Sequence, residues 1–514
     1  MPAPPRQGAA STGARMDVRR SLHRAACLLV AFATAHAWAQ AGSLTDDVRR
    51  LVAAQKLGPA KVSVCIRDVE NGITLADLNG STPMIPASNM KLLTSGAALL
   101  VLSPEYHYTT ELVQEGDRLI LRGSGDPALA DPEVLSLMKP RMTVGDVLDV
   151  IADAATTAGV RGARELVVDD RVFDREFVHP SWPADKLDRG YSCQVSGLNF
   201  HANVILVFPR PGGDGPGSPP AFAVEPESPF LSISNKARTI ANGKNSVWLS
   251  REPETNRFTL HGDVKYAAQV GVEITIHDPA TFAGQLLAER LRGAGVMSAS
   301  TVRLAEPGEP ASTPARSIAA ITTPIEEVLK RCNTDSANLY AESLLKSMGH
   351  AVTREPGSWK NGASVLRMVL SQKLGPDQAA RVTIADGSGL SRDNAVSAEA
   401  LARWLEVMGR DRTVRDIFAE SLASPGEGTL RERFRGDKIS THICAKSGFI
   451  NGVRTLSGYA IDEASGRRVA FSVMINDIKT DTQTLASKEL HEQIALLCDR
   501  WLAARVNQSP KLGG

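Results

Sequence analysis

No Cys-x-x-Cys pair occurs in these 514 residues, so a compact zinc or dithiol redox motif is excluded. Net charge is nearly absent. The 58 Lys+Arg against 57 Asp+Glu leave +1, which gives a nucleic-acid partner no electrostatic footprint. No apolar run is long enough to span a bilayer comfortably. A fixed-period repeat is missing, which excludes solenoids and propellers. Neither Gly-x-Ser-x-Gly nor His-Glu-x-x-His occurs, which removes the nucleophile-elbow hydrolases and the zinc peptidases. The glycine-rich loop Gly123-Ser-Gly-Asp-Pro127 has no Gly-Lys-Ser/Thr after it and reads as a tight turn. No motif calls for a metal or a cofactor.

What is present is ordinary globular composition, 43% hydrophobic and 22% charged, in a chain too long for one core. Two or three domains are expected. Arg15, Arg19, Arg20 and Arg24 precede an apolar run at 25–35, and small-residue sites such as Ala35-His-Ala37 follow. That is the pattern of a secretory signal peptide, residues 1–39. The expected mature protein is exported to the periplasm, with no stable membrane span. Five cysteines remain after cleavage: Cys65, Cys193, Cys332, Cys444 and Cys498. An odd number leaves at least one thiol unpaired, and buried free cysteines are the simplest reading.

In order, the chain opens with a Ser43-capped amphipathic helix, a strand at 61–69, an Asn71-Gly72 turn and a return strand at 73–78. A helix carrying Ser88 runs to Leu102. From 103 the texture changes: strands near 108–113, 118–122 and 165–169, a helix at 143–158, and a Pro/Gly-rich loop at 209–220. Short strands follow at 231–234, 246–249, 257–260 and 271–276, then a helix at 279–291 and linker composition at 305–314. Alternating helices and strands then return. Helices are expected from 324, at 336–348, at 397–408 and at 487–504, with adjacent antiparallel strands at 456–461 and 468–475. The simplest organisation is one α/β domain from 40–102 and 313–514. Inserted into it are a second domain, 103–200 with 268–312, and a small β-rich domain, 201–267.

The chemistry centres on Ser88-Asn-Met-Lys91. Three residues along a helix bring Lys91 beside Ser88. A lysine at the root of an apolar helix loses proton affinity on burial, and a neutral amine next to a hydroxyl is a base next to a nucleophile. The same spacing recurs at Ser136/Lys139, where Pro140 stops the helix, and at Ser343/Lys346 on another helix. Two further motifs single out Ser88: Ser336-Ala-Asn338 and Lys446-Ser-Gly448 follow it in that order, each unique in the chain. Alone, Ser336 fits a helix cap and Lys446-Ser-Gly448 a strand end. His107, His201 and His442 have no carboxylate partner nearby in sequence and read as structural or surface residues.

Six stretches carry a wider resemblance: 86–92, 121–127, 333–342, 386–392, 428–433 and 445–453. With them the chain resembles the class C low-molecular-mass penicillin-binding proteins, the D-alanyl-D-alanine carboxypeptidase/endopeptidase family. The long gap between Ser88 and Ser336 agrees with that family's insertion. The resemblance implies an α/β (α+β) transpeptidase-like domain, an antiparallel sheet flanked by helices, with a large two-module insertion. It implies an exported serine DD-peptidase acting on peptidoglycan stem peptides, and β-lactams as covalent inhibitors. By the same resemblance Ser88 is the nucleophile, Lys91 the base and Ser336 a proton relay. Asn338 meets the substrate backbone and Lys91. Lys446 and Ser447 hold the terminal carboxylate, and Gly448 leaves room for substrate. The N–H groups of Ser88 and Phe449 hold the oxyanion, although Phe449 stands where most relatives carry a smaller residue. Asp188, an acidic residue ahead of a Tyr-containing stretch, becomes a contact for a diamino acid's amine; the alternative is a solvated loop aspartate. A β-lactamase or esterase of the same superfamily is the alternative function, and a non-catalytic wall-binding protein the third. The oligomeric state stays open, a homo-oligomer included.

Overall fold

A computed structural model describes residues 43–310 and 315–506; the expected signal peptide lies outside them. Helix α1 (Leu44–Ala54) starts where the Ser43 side chain accepts from Asp46 N–H. The hairpin β1 (Lys61–Asp68) and β2 (Ile73–Leu78) follows. A 3-10 turn, Ala87–Asn89, then leads into α2 (Met90–Leu102). Next come β3 (His107–Glu115), β4 (Arg118–Arg122), α3 (Val144–Thr157) and β5 (Ala163–Asp169). The small β-rich part holds β6 (Val204–Arg210), β7 (Ala221–Glu225), β8 (Ser232–Asn235), β9 (Trp248–Arg251), β10 (Arg257–His261) and β11 (Val272–Thr275). After α4 (Pro279–Gly293), β12 (Met297–Leu304) and β13 (Arg316–Pro324) come the longer helices α5 (Ile325–Asn333), α6 (Asn338–Thr353), α7 (Trp359–Leu374) and α8 (Ala398–Arg410). The chain closes with β14 (His442–Ile450), β15 (Val453–Ile461), β16 (Arg468–Asn476) and α9 (Asp481–Val506).

Both ends of the chain share one antiparallel sheet, in the order β14-β15-β16-β1-β2. Side chains alternate across it. Val64 and Ile66 on β1 join Val469, Phe471 and Val473 beneath α9, while Cys65 joins Met474 in the core of α2, α6 and α8. Helix α2 is buried over Met90–Leu99, apolar all round as its sequence predicts, and each fully buried leucine there contributes about 1.5–3 kcal/mol. Trp404 on α8 donates its indole N–H to the carbonyl of Leu92, which locks the two helices together. All five described cysteines are buried free thiols. Among the described residues no helix is long and apolar enough to cross a membrane.

The inserted strands form their own sheets, and these move two expected boundaries. Strand β13 pairs with β3 at the edge of the sheet β12-β5-β4-β3-β13, so 316–324 goes with the insertion and not with the part expected from 313 onward. Strand β11 pairs with β6, so 272–275 belongs to the small β-rich part expected to end at 267. In both cases the partner strand is distant in sequence, and local alternation does not name it. The two inserted parts also share one apolar core, in which Leu166 and Leu287 join Ile205 and Phe258.

Candidate active site

Ser88 sits half-buried in the turn that starts α2, and the residue before it, Ala87, is held at φ 46°. A non-glycine residue in that region is strained, and surrounding contacts must hold it. Lys91, one turn on, is fully buried. Its Nζ lies 2.6 Å from Asn338 Oδ1, 2.9 Å from the Ser388 carbonyl and 3.2 Å from Ser88 Oγ. The Asn338 amide is oriented by its other end, because Nδ2 donates to the Tyr191 carbonyl at 2.7 Å. Two neighbours of Lys91 are therefore pure acceptors. A neutral amine has two N–H bonds, and both are taken. In that neutral form the lone pair is left for Ser88 Oγ, to which the ammonium form donates. Burial lowers the proton affinity of Lys91 from 10.5 to about 8, against the raising effect of Cys332, Glu342 and Asp386.

The edge strand β14 lies against the Ser88 turn. Asn89 donates its side-chain amide to the Lys446 carbonyl at 2.6 Å, and the Thr455 hydroxyl donates to the Pro86 carbonyl at 3.0 Å. A Cβ on Gly448 would stand 2.1 Å from Thr455 Oγ1 and 3.1 Å from Ser88 N. Gly448 thus permits the strand to approach the nucleophile's turn, where a sequence reading gave it the task of clearing space for substrate. Lys446 faces the same interior side. It is fully buried beneath the cleft, its Nζ donates to the Ser447 carbonyl at 2.8 Å, and burial, aided by Lys91, pushes its proton affinity well down. Ser447 and Phe449 reach the cleft itself. The Phe449 ring is exposed at the rim with the Arg454 guanidinium 3.6 Å over it.

The cleft has a volume of about 690 Å³. Ser88, Ser336, Asn338, Ser447 and Phe449 line it together. Ser336 does not cap α6: the cap position is Ala337, and Ser336 is held at φ 67° with no protein partner for its hydroxyl among the described residues. The insertion supplies Pro183, Lys186 and Tyr191, and the loop after α7 supplies Leu390 and Arg392. Asp188 is not brought to this cleft. It lines a separate cavity of about 500 Å³ with Arg251 and His277, on the other side of the 183–191 segment. In that segment Lys186 and Tyr191 face the reacting serine while Asp188 faces away, an alternation that loop sequence does not encode. The histidines stay outside as well. His201 meets Glu225 at 3.8 Å and His442 meets Glu463 at 3.7 Å, carboxylates that sequence proximity had not indicated.

Over residues 44–501 the chain matches the D-Ala-D-Ala carboxypeptidase 3 (S13) family. It is 33% identical to the D-alanyl-D-alanine carboxypeptidase of Actinomadura sp. (strain R39), over 84% of this chain and 81% of that protein. The chain belongs to the S13 family. It is accordingly a serine hydrolase of the D-Ala-D-Ala carboxypeptidase type. A carboxypeptidase from Haemophilus influenzae is 23% identical over 82% of this chain and 86% of its own length. The crystal structure of penicillin-binding protein 4 from that organism shares the fold at a TM-score of 0.71, with 22% identity, covering 87% of this chain and 99% of the other.

Within this S13 chain the competing Ser-x-x-Lys pairs have other work. Lys346 is buried, its Nζ donating to Asp174 Oδ1 at 2.6 Å and to the Glu176 carbonyl at 2.9 Å, and it lies 3.9 Å over the Trp359 ring. Ser136 donates to the Glu133 carbonyl on a short exposed helix. Neither pair lines the cleft. The S13 site also recruits residues that sequence reasoning passed over: Asn89, Tyr191 and Ser388. Two of the three lie inside motif stretches, but only the folded contacts show their tasks.

Proposed function

We propose that this S13 enzyme removes the terminal D-Ala of peptidoglycan stem peptides through an acyl-enzyme on Ser88. The observation that carries the proposal is the arrangement at Lys91: Asn338 Oδ1 and the Ser388 carbonyl accept from its Nζ, and Ser88 Oγ stands third at 3.2 Å, where the neutral amine's lone pair can take the hydroxyl proton. Lys91 takes the hydroxyl proton as Ser88 Oγ attacks the penultimate D-Ala carbonyl. The backbone N–H groups of Ser88 and Phe449 receive the oxyanion. Ser336 passes a proton to the departing amine. Ser447 binds the terminal carboxylate directly, and Lys446 supplies the cation beneath it. D-Ala leaves, water enters and the ester is hydrolysed. Among the described residues Lys186 and Arg392 line the cleft and no Asp or Glu does, which supports an anionic peptide as substrate. The basic-then-apolar N-terminus supports export to the periplasm.

We further infer that β-lactams acylate Ser88. The Haemophilus influenzae protein of the same fold has been crystallised with a β-lactam, at a TM-score of 0.66. The lack of a cleft carboxylate to activate water argues for slow release, and against the β-lactamase reading. The substrate test uses purified sacculi with products separated by mass. Loss of one D-Ala from pentapeptide stems is expected, and cleavage of cross-links identifies the endopeptidase activity. Unchanged sacculi would overturn the proposal.

A further inference from the structure

Two of the motif stretches carry carboxylates that the steps above do not use: Glu342 ends 333–342 and Asp386 opens 386–392. They meet in the interior behind Lys91. Glu342, fully buried on α6, accepts from Gly387 N–H at 2.9 Å and Trp359 Nε1 at 2.9 Å on one oxygen, and from Ser388 N–H at 2.8 Å on the other. Asp386, also fully buried, accepts from Gly389 N–H at 2.8 Å and Asn394 Nδ2 at 2.7 Å on Oδ1. Its Oδ2 accepts from Ser391 N–H at 2.6 Å and Trp182 Nε1 at 2.9 Å. The two carboxylates thus grip four backbone amides of one short loop.

Peptide geometry gives this grip a target. The Ser388 carbonyl shares a rigid plane with Gly389 N–H, which Asp386 holds. The preceding plane is held at both ends, by Glu342 at Ser388 N–H and by the Thr94 hydroxyl at the Gly387 carbonyl, 2.7 Å away. The carbonyl so fixed is the one that accepts from Lys91 Nζ. Gly389 itself stands at φ 82°, where a Cβ would lie 1.8 Å from the Ala87 carbonyl, so the same loop braces the strained turn before Ser88.

We propose that Glu342 and Asp386 act as one positioning unit for the general base, holding the Ser388 carbonyl so that Lys91 keeps its lone pair on Ser88. This rests on the reading of Lys91 as base. Two buried carboxylates are costly, and ordinary loop structure does not require them. Their negative charge also counters the desolvation of Lys91. The charged or titratable groups facing Lys91 are Cys332 on α5, Glu342 on α6, Asp386 on the loop and Lys446 on β14. Those facing Glu342 include Asp386, Lys346 and Lys91.

The test is the rate of Ser88 acylation by benzylpenicillin, followed by intact mass across pH, for the wild type, Glu342→Gln and Asp386→Asn. Each neutral variant is expected to lose about 10- to 100-fold in the plateau rate through misplacement of the base. Each should also move the acid limb to lower pH, because a negative charge near Lys91 is gone. A structural role alone would lower the unfolding midpoint and leave the limb in place. The two variants back each other should one not fold. A folded variant with the wild-type rate and an unmoved limb would overturn the inference. A wild type that forms no Ser88 adduct would overturn the reading of the site instead.

Discussion

Lys91 is where a single residue sets a measurable property. Its full burial lowers its proton affinity to about 8, below the 10.5 of a solvated lysine. In the proposed mechanism the neutral form of Lys91 is the base, so D-Ala release should rise with pH through a limb near 8 and then level off. The sign follows from desolvation, which disfavours the ammonium. The check is kcat/KM for D-Ala release from a diacetyl-Lys-D-Ala-D-Ala peptide between pH 5.5 and 10. A rate that falls with pH over that range would contradict the assignment of Lys91 as base. This much was legible in the sequence, because Ser88 and Lys91 are one helical turn apart. Of the partners of Lys91, Asn338 was named through the family resemblance, whereas the Ser388 carbonyl was not, because it lies far along the chain and only the packed fold brings it in.

At the scale of elements, the strands that end the chain and the helix of Ser88 could be read from alternation and apolar runs. Helix α7 could not; Ser358 and Asn361 form its capping box, but its face is mixed and Gly362 interrupts it. The expected boundaries at 313 and 267 do not follow the pairing of β13 and β11, since pairing is a non-local property. The misread of Asp188 belongs here too, because the wall segment turns it to a second cavity while Tyr191 holds Asn338 from the insertion side. Trp182 is a further tie between insertion and catalytic part. It is 5% exposed, donates to Asp386 and packs edge-on against Trp359 with ring centroids 5.8 Å apart. Trp182→Ala should cost about 3–5 kcal/mol and slow acylation, whereas Trp182→Phe, which keeps most of the packing, should cost clearly less. Urea midpoints with acylation rates test this. Equal behaviour of both variants and the wild type would show that the tie carries no load.

On the scale of the whole molecule, residues from both ends of the chain close one sheet, and the insertion between them returns to wall the cleft beside Ser88. The proposed nucleophile Ser88 comes from the first part, Ser336 and Asn338 from the middle, and Ser447 from the last strand, so the proposed chemistry requires the complete fold. A β-lactam offers this cleft a strained amide and a carboxylate in the arrangement of D-Ala-D-Ala. Its cleaved amine stays tethered and does not make way for water, and no cleft carboxylate activates one. Intact-protein mass spectrometry after mixing with benzylpenicillin is the most direct measurement. The expected result is one lasting covalent adduct on the wild type and none on Ser88→Ala. That variant should keep its unfolding midpoint, within about 0.5 kcal/mol of stability, since a half-exposed hydroxyl packs little. An adduct that persists in Ser88→Ala, or turnover of the drug with no adduct at all, would contradict the account.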